Sequence, residues 1–378
     1  MTKFIQKLAI AVVPLTLLMA GCGGSGNHVN GANSYKKTVL VANKASYNPQ
    51  IVEPSLSNAW GLSLRPAGAG GHWWITANST GKSIEYVGDV NGVPLHQDAL
   101  KEVAVYNTGK SQGTPTGVVF NTTGPGFVIT QTFPDTTTVT APAKFLFATD
   151  TGVLDAWTER VNGDGTKSFP PDCNIVWDKS AAGAAYFGLA LSPTNDRVYL
   201  ADFGTSPKVT VLNDQFQDIT ADKFVNPFPG YAPWNCQTIG NSIFVAYAKQ
   251  EEAAEELHGA GIGRLAEFDV NGSLIATWND KGLLNAPWGI VMAPATFGLY
   301  AGKLLVGNFG NGLITVFDPA TRTAIDYLRG SDGKPLVIDG LWDMKFGNGV
   351  SLGQSNALYY AAGPNGETDG VFGRITAQ

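Results

Sequence analysis

Six short segments of this chain open alike, with a small or aromatic residue, usually a glycine, and then an apolar run. They are Asn58-Ala59-Trp60-Gly61-Leu62, Pro115-Thr116-Gly117-Val118-Val119, Tyr186-Phe187-Gly188-Leu189-Ala190, Ala232-Pro233-Trp234-Asn235-Cys236, Ala286-Pro287-Trp288-Gly289-Ile290 and Gly340-Leu341-Trp342-Asp343-Met344. Recurrence on this scale constrains a chain more than any single motif, because a lone repeat cannot bury its own apolar face. A second β-rich stretch follows each opening, at 73–81, 145–152, 198–204, 243–249, 304–310 and 358–364, and breaks at Gly, Asn, Asp or Pro. A third follows at 83–92, 153–165, 208–217, 264–272 and 313–323, ending mostly on Asn-Gly, Asp-Gly or Asp-Pro turns. A fourth then leads to the next opening, as at 274–278 and 324–328.

Six units of four antiparallel strands, about 55 residues each, describe an all-β chain folded as a six-bladed β-propeller, with seven blades the rival count. The spacing is uneven because two units carry insertions, Thr122 to Pro142 and Gln250 to Gly263. The second reads Glu251-Glu252-Ala253-Ala254-Glu255-Glu256-Leu257, a helix-forming composition too short to hold a helix alone, and is expected as a solvated loop or helical turn over one face. The sixth unit stops after its third strand, near 371–376, while an orphan strand at 37–42 precedes the first. If the orphan completes the last blade, the ring closes and two exposed sheet edges disappear.

The N-terminus reads as targeting rather than fold. Lys3 and Lys7 precede an apolar run from Leu8 to Ala20 that breaks at Leu18-Met19-Ala20-Gly21-Cys22. A basic start, a short apolar core and small residues at a cleavage point mark a secretory signal. The run is shorter than the roughly 20 residues that span a bilayer. Cys22 after Ala-Gly resembles a bacterial lipobox, so residues 1–21 are expected to be cleaved and Cys22 lipidated. Gly23 at the next position resembles lipoproteins sorted to the outer membrane. Residues 22–34, rich in Gly, Asn and Ser, are expected to tether the lipid to a single domain at 35–378. The membrane would then be met through the anchor alone, with the domain a monomer facing periplasm or medium. Cys173 and Cys236 sit in an oxidising compartment on this reading, and whether they pair is left open.

Composition excludes some classes. With 46 Gly, 9 Trp and 15% charged residues the chain is not built for disorder, and a net charge of −6 argues against a nucleic-acid partner. The four histidines, His28, His72, His96 and His258, are scattered and form no nucleophile triad or metal spacing. Gly163-Asp164-Gly165 is a turn with no helix after it to hold phosphate.

The blades distantly resemble NHL-type six-bladed propellers. More closely, the chain resembles a family of uncharacterised exported bacterial propellers, through Leu56-Ser57-Asn58-Ala59-Trp60-Gly61-Leu62, Gly230-Tyr231-Ala232-Pro233-Trp234-Asn235, Ala286-Pro287-Trp288-Gly289, Leu305-Val306-Gly307-Asn308-Phe309-Gly310 and Ile338-Asp339-Gly340-Leu341-Trp342. The resemblance implies a secreted propeller and carries over no catalytic residue.

Topology nevertheless nominates a face. Inner strands start, and second strands end, on one rim of the central channel. Asn58, Trp60, Asn78, Trp234, Asn235, Tyr247, Trp288, Asn308, Trp342 and Asp343 are therefore the expected ligand-binding set, with Asp150 and Asp202 beside them. Such a mouth suits a binding or scaffold module for a peptide, glycan or envelope protein. The alternative is a metal-dependent hydrolase or lactonase-like enzyme, with Asp150 and Asp202 among the oxygen donors of a Ca²⁺ ion in the channel. Each residue also has a plainer reading: Asn and Asp as turn formers, Trp as packing between blades.

Overall fold

The structure, a computed structural model, describes residues 32–122 and 124–378. The signal segment, Cys22 and most of the expected tether lie outside these residues. Asn33, at the tether's end, is already fixed: its side chain bonds the Tyr300 hydroxyl, Asp326 and the Tyr327 carbonyl. No helix among the described residues is long and apolar enough to cross a membrane.

The chain forms a six-bladed β-propeller. The inner strands of the six blades are Ala59–Leu64, Pro115–Phe120, Tyr186–Leu191, Ala232–Ile239, Pro287–Met292 and Leu341–Phe346. Each pairs antiparallel with a second strand: Trp73–Ala77, Phe145–Thr149, Arg197–Asp202, Ser242–Glu252, Leu304–Asn308 and Ala357–Ala362. The second strands of blades 1 and 2 are buried at every position, with no in–out alternation. That pattern follows from the architecture, because a blade between two neighbours has both faces covered.

Six apolar cores lie between successive blades, and a seventh lies on the axis. Between blades 1 and 2, for example, Trp74 packs on Phe145, Phe147 and Trp157. Inner strands approach so closely that the glycines between them leave no room for a Cβ. A Cβ on Gly61 would lie 2.5 Å from the Thr116 carbonyl oxygen, and one on Gly188 would meet the Asn235 side chain at 1.9 Å.

The ring closes through the N-terminal strand. Tyr35–Ala42 pairs antiparallel with Val371–Ala377, from Tyr35 opposite Ala377 to Ala42 opposite Val371, with a bulge at Val39–Val41. Ile51–Val52 then adds a short parallel strand outside it. Two details depart from the sequence reading, the strand count of blade 3 and the form of the acidic insertion, and the blade 2 insertion takes a definite form. Blade 3 has three strands, its fourth reduced to a bridge between Leu212 and Asp218. The insertion in blade 2 is a hairpin, Val128–Thr132 with Thr138–Pro142. The acidic insertion in blade 4 is neither loop nor helical turn. Ser242–Glu252 runs on past its blade and Glu255–Leu257 pairs back onto it, turning at Ala254, whose φ is 63°. Backbone ladder bonds outweigh the helical preference of Glu and Ala here, and the Ala254 N–H donates to the Phe203 carbonyl. Cys173 and Cys236 are free thiols, each buried in a different inter-blade core.

Candidate functional site

The residue before the recurring small position of each opening points toward the axis, and there the aromatics meet. Trp60 stacks on Trp342 at 3.5 Å between ring centroids, Phe309 stacks on the Trp342 ring at 3.8 Å, and Phe187 stacks on Trp234 at 4.5 Å. Trp288 meets Trp60 and Trp342 edge-on. All four tryptophans are 3% exposed or less. The topology does bring these indoles to one place, but they bury one another and plug the channel instead of lining an open mouth. Two have polar partners: Trp288 Nε1 donates to the Phe187 carbonyl and Trp342 Nε1 to Asn58 Oδ1. Blade 2 carries Thr116 at the aromatic position, its hydroxyl bonded to the Tyr186 carbonyl at 2.7 Å.

The polar residues of the expected site divide by what they bond. Asn58, in the left-handed region at φ 46°, donates to Glu367 at 2.8 Å. Asn78 donates to Asp150 Oδ2 at 3.0 Å, and Asp150 also accepts from the Thr114 hydroxyl. These groups form a strap beside the plug, and burial raises the carboxyls of Asp150 and Glu367, the latter also through nearby Glu256 and Glu255. Asp202 accepts the N–H groups of Ala185 and Gly204, and Asn308 accepts that of Asn285. Both are turn formers. Tyr247 is not at the mouth: it is fully buried in the core between blades 3 and 4, edge-on to Phe228, and its hydroxyl has no partner among the described residues. Among the described residues no three His, Cys, Asp or Glu side chains are grouped to hold a metal ion. Asp150 and Asp202 serve different turns and share no hydrogen-bond partner.

Asn235 and Asp343 look the other way along the channel. They stand where four blades have glycine, so their side chains cover strand edges. Asn235 donates to the Trp288 carbonyl, and Asp343 accepts the Leu62 and Met344 N–H groups. Both line a cavity of about 590 Å³ at the end of the channel where the inner strands finish. Its walls are apolar, from Leu64, Val119, Leu189, Leu191 and Phe346, with Trp288 shared between cavity and plug. Polar side chains interrupt these walls, Ser63, Gln237, Thr238 and Lys345 among them. Lys345 Nζ donates to Gln237 Oε1 at 2.7 Å and to Asp343 Oδ1 at 3.2 Å. Arg65, at the rim, is held bidentately by Glu159 at 3.0 and 2.7 Å. A concave, mostly apolar site with convergent polar groups is the usual form of a ligand site. Sequence reasoning from strand starts alone misses Ser63, Gln237 and Lys345. The available signal is a polar residue near the end of an otherwise apolar inner strand.

No family model matches the chain. It is similar to two uncharacterized proteins of Acanthamoeba polyphaga mimivirus. One is 29% identical over 350 residues, covering 90% of this chain and 80% of the relative, and the other is 29% identical over 355, covering 90% and 86%. These relatives are viral, not the bacterial proteins that the motifs suggest. Among solved structures it is similar to a glucose dehydrogenase, at a TM-score of 0.51 and 11% identity, covering 91% of this chain and 100% of that one. It is also similar to a streptogramin B lyase, at a TM-score of 0.48 and 11% identity, covering 91% and 97%. At such identities the shared property is the fold. This chain is a six-bladed β-propeller, sealed by aromatics at one end of its channel and hollow at the other.

Proposed function

We propose that this propeller is a ligand-binding module whose site is the cavity at the end of the channel where the inner strands finish. The observation that supports it is the asymmetry of the channel. One end is packed solid with Trp60, Trp234, Trp288 and Trp342, while the other keeps about 590 Å³ of mostly apolar space. A concave opening of this size, mostly apolar and with fixed polar groups in its wall, has the usual form of a ligand site. The walls are rigid strand ends from five blades, which suits a preformed pocket.

The test is a cavity-filling variant. Val119 is half-buried on the cavity wall, and Val119→Trp places an indole in the space. Nile red, a neutral apolar dye, should brighten with the wild-type protein and bind at least about tenfold more weakly to this variant, at an unchanged melting temperature. Asn58→Ala, at the sealed end, should bind the dye as the wild type does. Equal binding by Val119→Trp and wild type would remove the cavity as the site.

A further inference from the structure

The cavity has charged side chains in its wall, and they bear on function only if the cavity is the ligand site proposed above. Its lining carries two cations, Arg65 and Lys345, and one anion, Asp343. The two cations are not equivalent. Arg65 is spent as a charge: Glu159 takes its two terminal nitrogens bidentately and also pairs with Lys167 at 2.8 Å, while its Nε, without a partner among the described residues, is buried. Lys345 is not. An ammonium has three N–H donors, and the Lys345 partners, Gln237 and Asp343, account for two.

Its counter-charge is already committed elsewhere. Asp343 is 2% exposed and holds the backbone N–H groups of Leu62 and Met344, so its carboxylate is shared among three donors. Ser63 lines the same cavity with a hydroxyl that has no hydrogen-bond partner among the described residues. Val119, Leu189 and Leu191, from blades 2 and 3, line the same cavity. An uncompensated donor in an apolar pocket favours an anionic acceptor, because a charge-assisted hydrogen bond there replaces one otherwise made to water.

We infer that the cavity takes a small organic monoanion, a carboxylate with an apolar aliphatic or aromatic body, its head bound by Lys345 Nζ and Ser63 and its body against Val119, Leu189 and Leu191.

Calorimetric titration with naphthaleneacetate and with its neutral amide tests this, since the two differ little in shape and by one charge. The wild-type protein should bind the carboxylate about tenfold tighter than the amide at neutral pH, the scale of one charge-assisted hydrogen bond. Lys345→Met should abolish the difference and Lys345→Arg should keep it. Equal affinity of acid and amide for the wild-type protein overturns the charge assignment and leaves the cavity reading standing. That outcome needs no variant to fold. Binding of neither compound, with Nile red also unbound, overturns both.

Discussion

Glu85 and Asp155 occupy the least hospitable positions in the molecule. Each is fully buried, and none of their four carboxyl oxygens has a hydrogen-bond partner among the described residues. Burial raises both carboxyls well above the ordinary range, and the thiol of Cys173 between the same blades is raised by burial and by these acids. An acid held protonated in the fold but ionised in the unfolded chain makes folding take up a proton. Stability from these groups is therefore complete below the usual carboxyl range and is lost as pH rises toward their folded values. Glu85→Gln and Asp155→Asn, which keep shape without a proton to lose, should flatten that fall. Each should remove up to about 1.4 kcal/mol of destabilisation per pH unit in the affected window. Denaturant unfolding from pH 5 to 8 reads it, and a wild-type profile no steeper than those of the variants contradicts it. Sequence gives no warning of these two acids, because a carboxyl in a third strand reads as an outward-facing residue. The turn-forming Asp202 and Asn308 were legible, since a short polar side chain bonding nearby backbone is their commonest role.

The strand that closes the ring was readable at the level of elements. The last repeat lacks a strand and the chain has one to spare before the first. Pairing from Tyr35–Ala377 to Ala42–Val371 fills the vacancy, and Leu40 and Val41 pack with Trp73 and Tyr359 in the core between blades 6 and 1. Removing residues 35–42 exposes the edge of Val371–Ala377 and opens that core. Such a protein should lose its cooperative thermal transition and associate, seen by circular dichroism and size exclusion; a monomer melting as the full chain does would show that closure contributes little. The blade 4 extension was not readable. Its composition favours a helix, yet the second strand of the blade already supplies a ladder edge on which 255–257 can fold back. Local propensity loses to a ready-made partner.

At the scale of the whole molecule, repeats fix the architecture while a single column of side chains decides which end of the channel is usable. The six-fold period could be seen in the sequence, and so could the convergence of Trp60, Trp234, Trp288 and Trp342. Their mutual burial could not. Whether converging aromatics leave a gap or fill it depends on ring tilts and on Phe187 and Phe309 entering between them, which no spacing encodes. The hollow at the other end is walled by the apolar ends of inner strands, Leu64, Leu191 and Phe346 among them, which stand around the axis without meeting across it as the tryptophans do. The most direct measurement is a crystal structure grown with naphthaleneacetamide, a neutral compound indifferent to the charge assignment. Density for the compound bounded by Val119, Leu189 and Trp288, with Trp60 and Trp342 still stacked, is the predicted result. Density beside Asn58 and Glu367, or tryptophans parted to admit it, would contradict it.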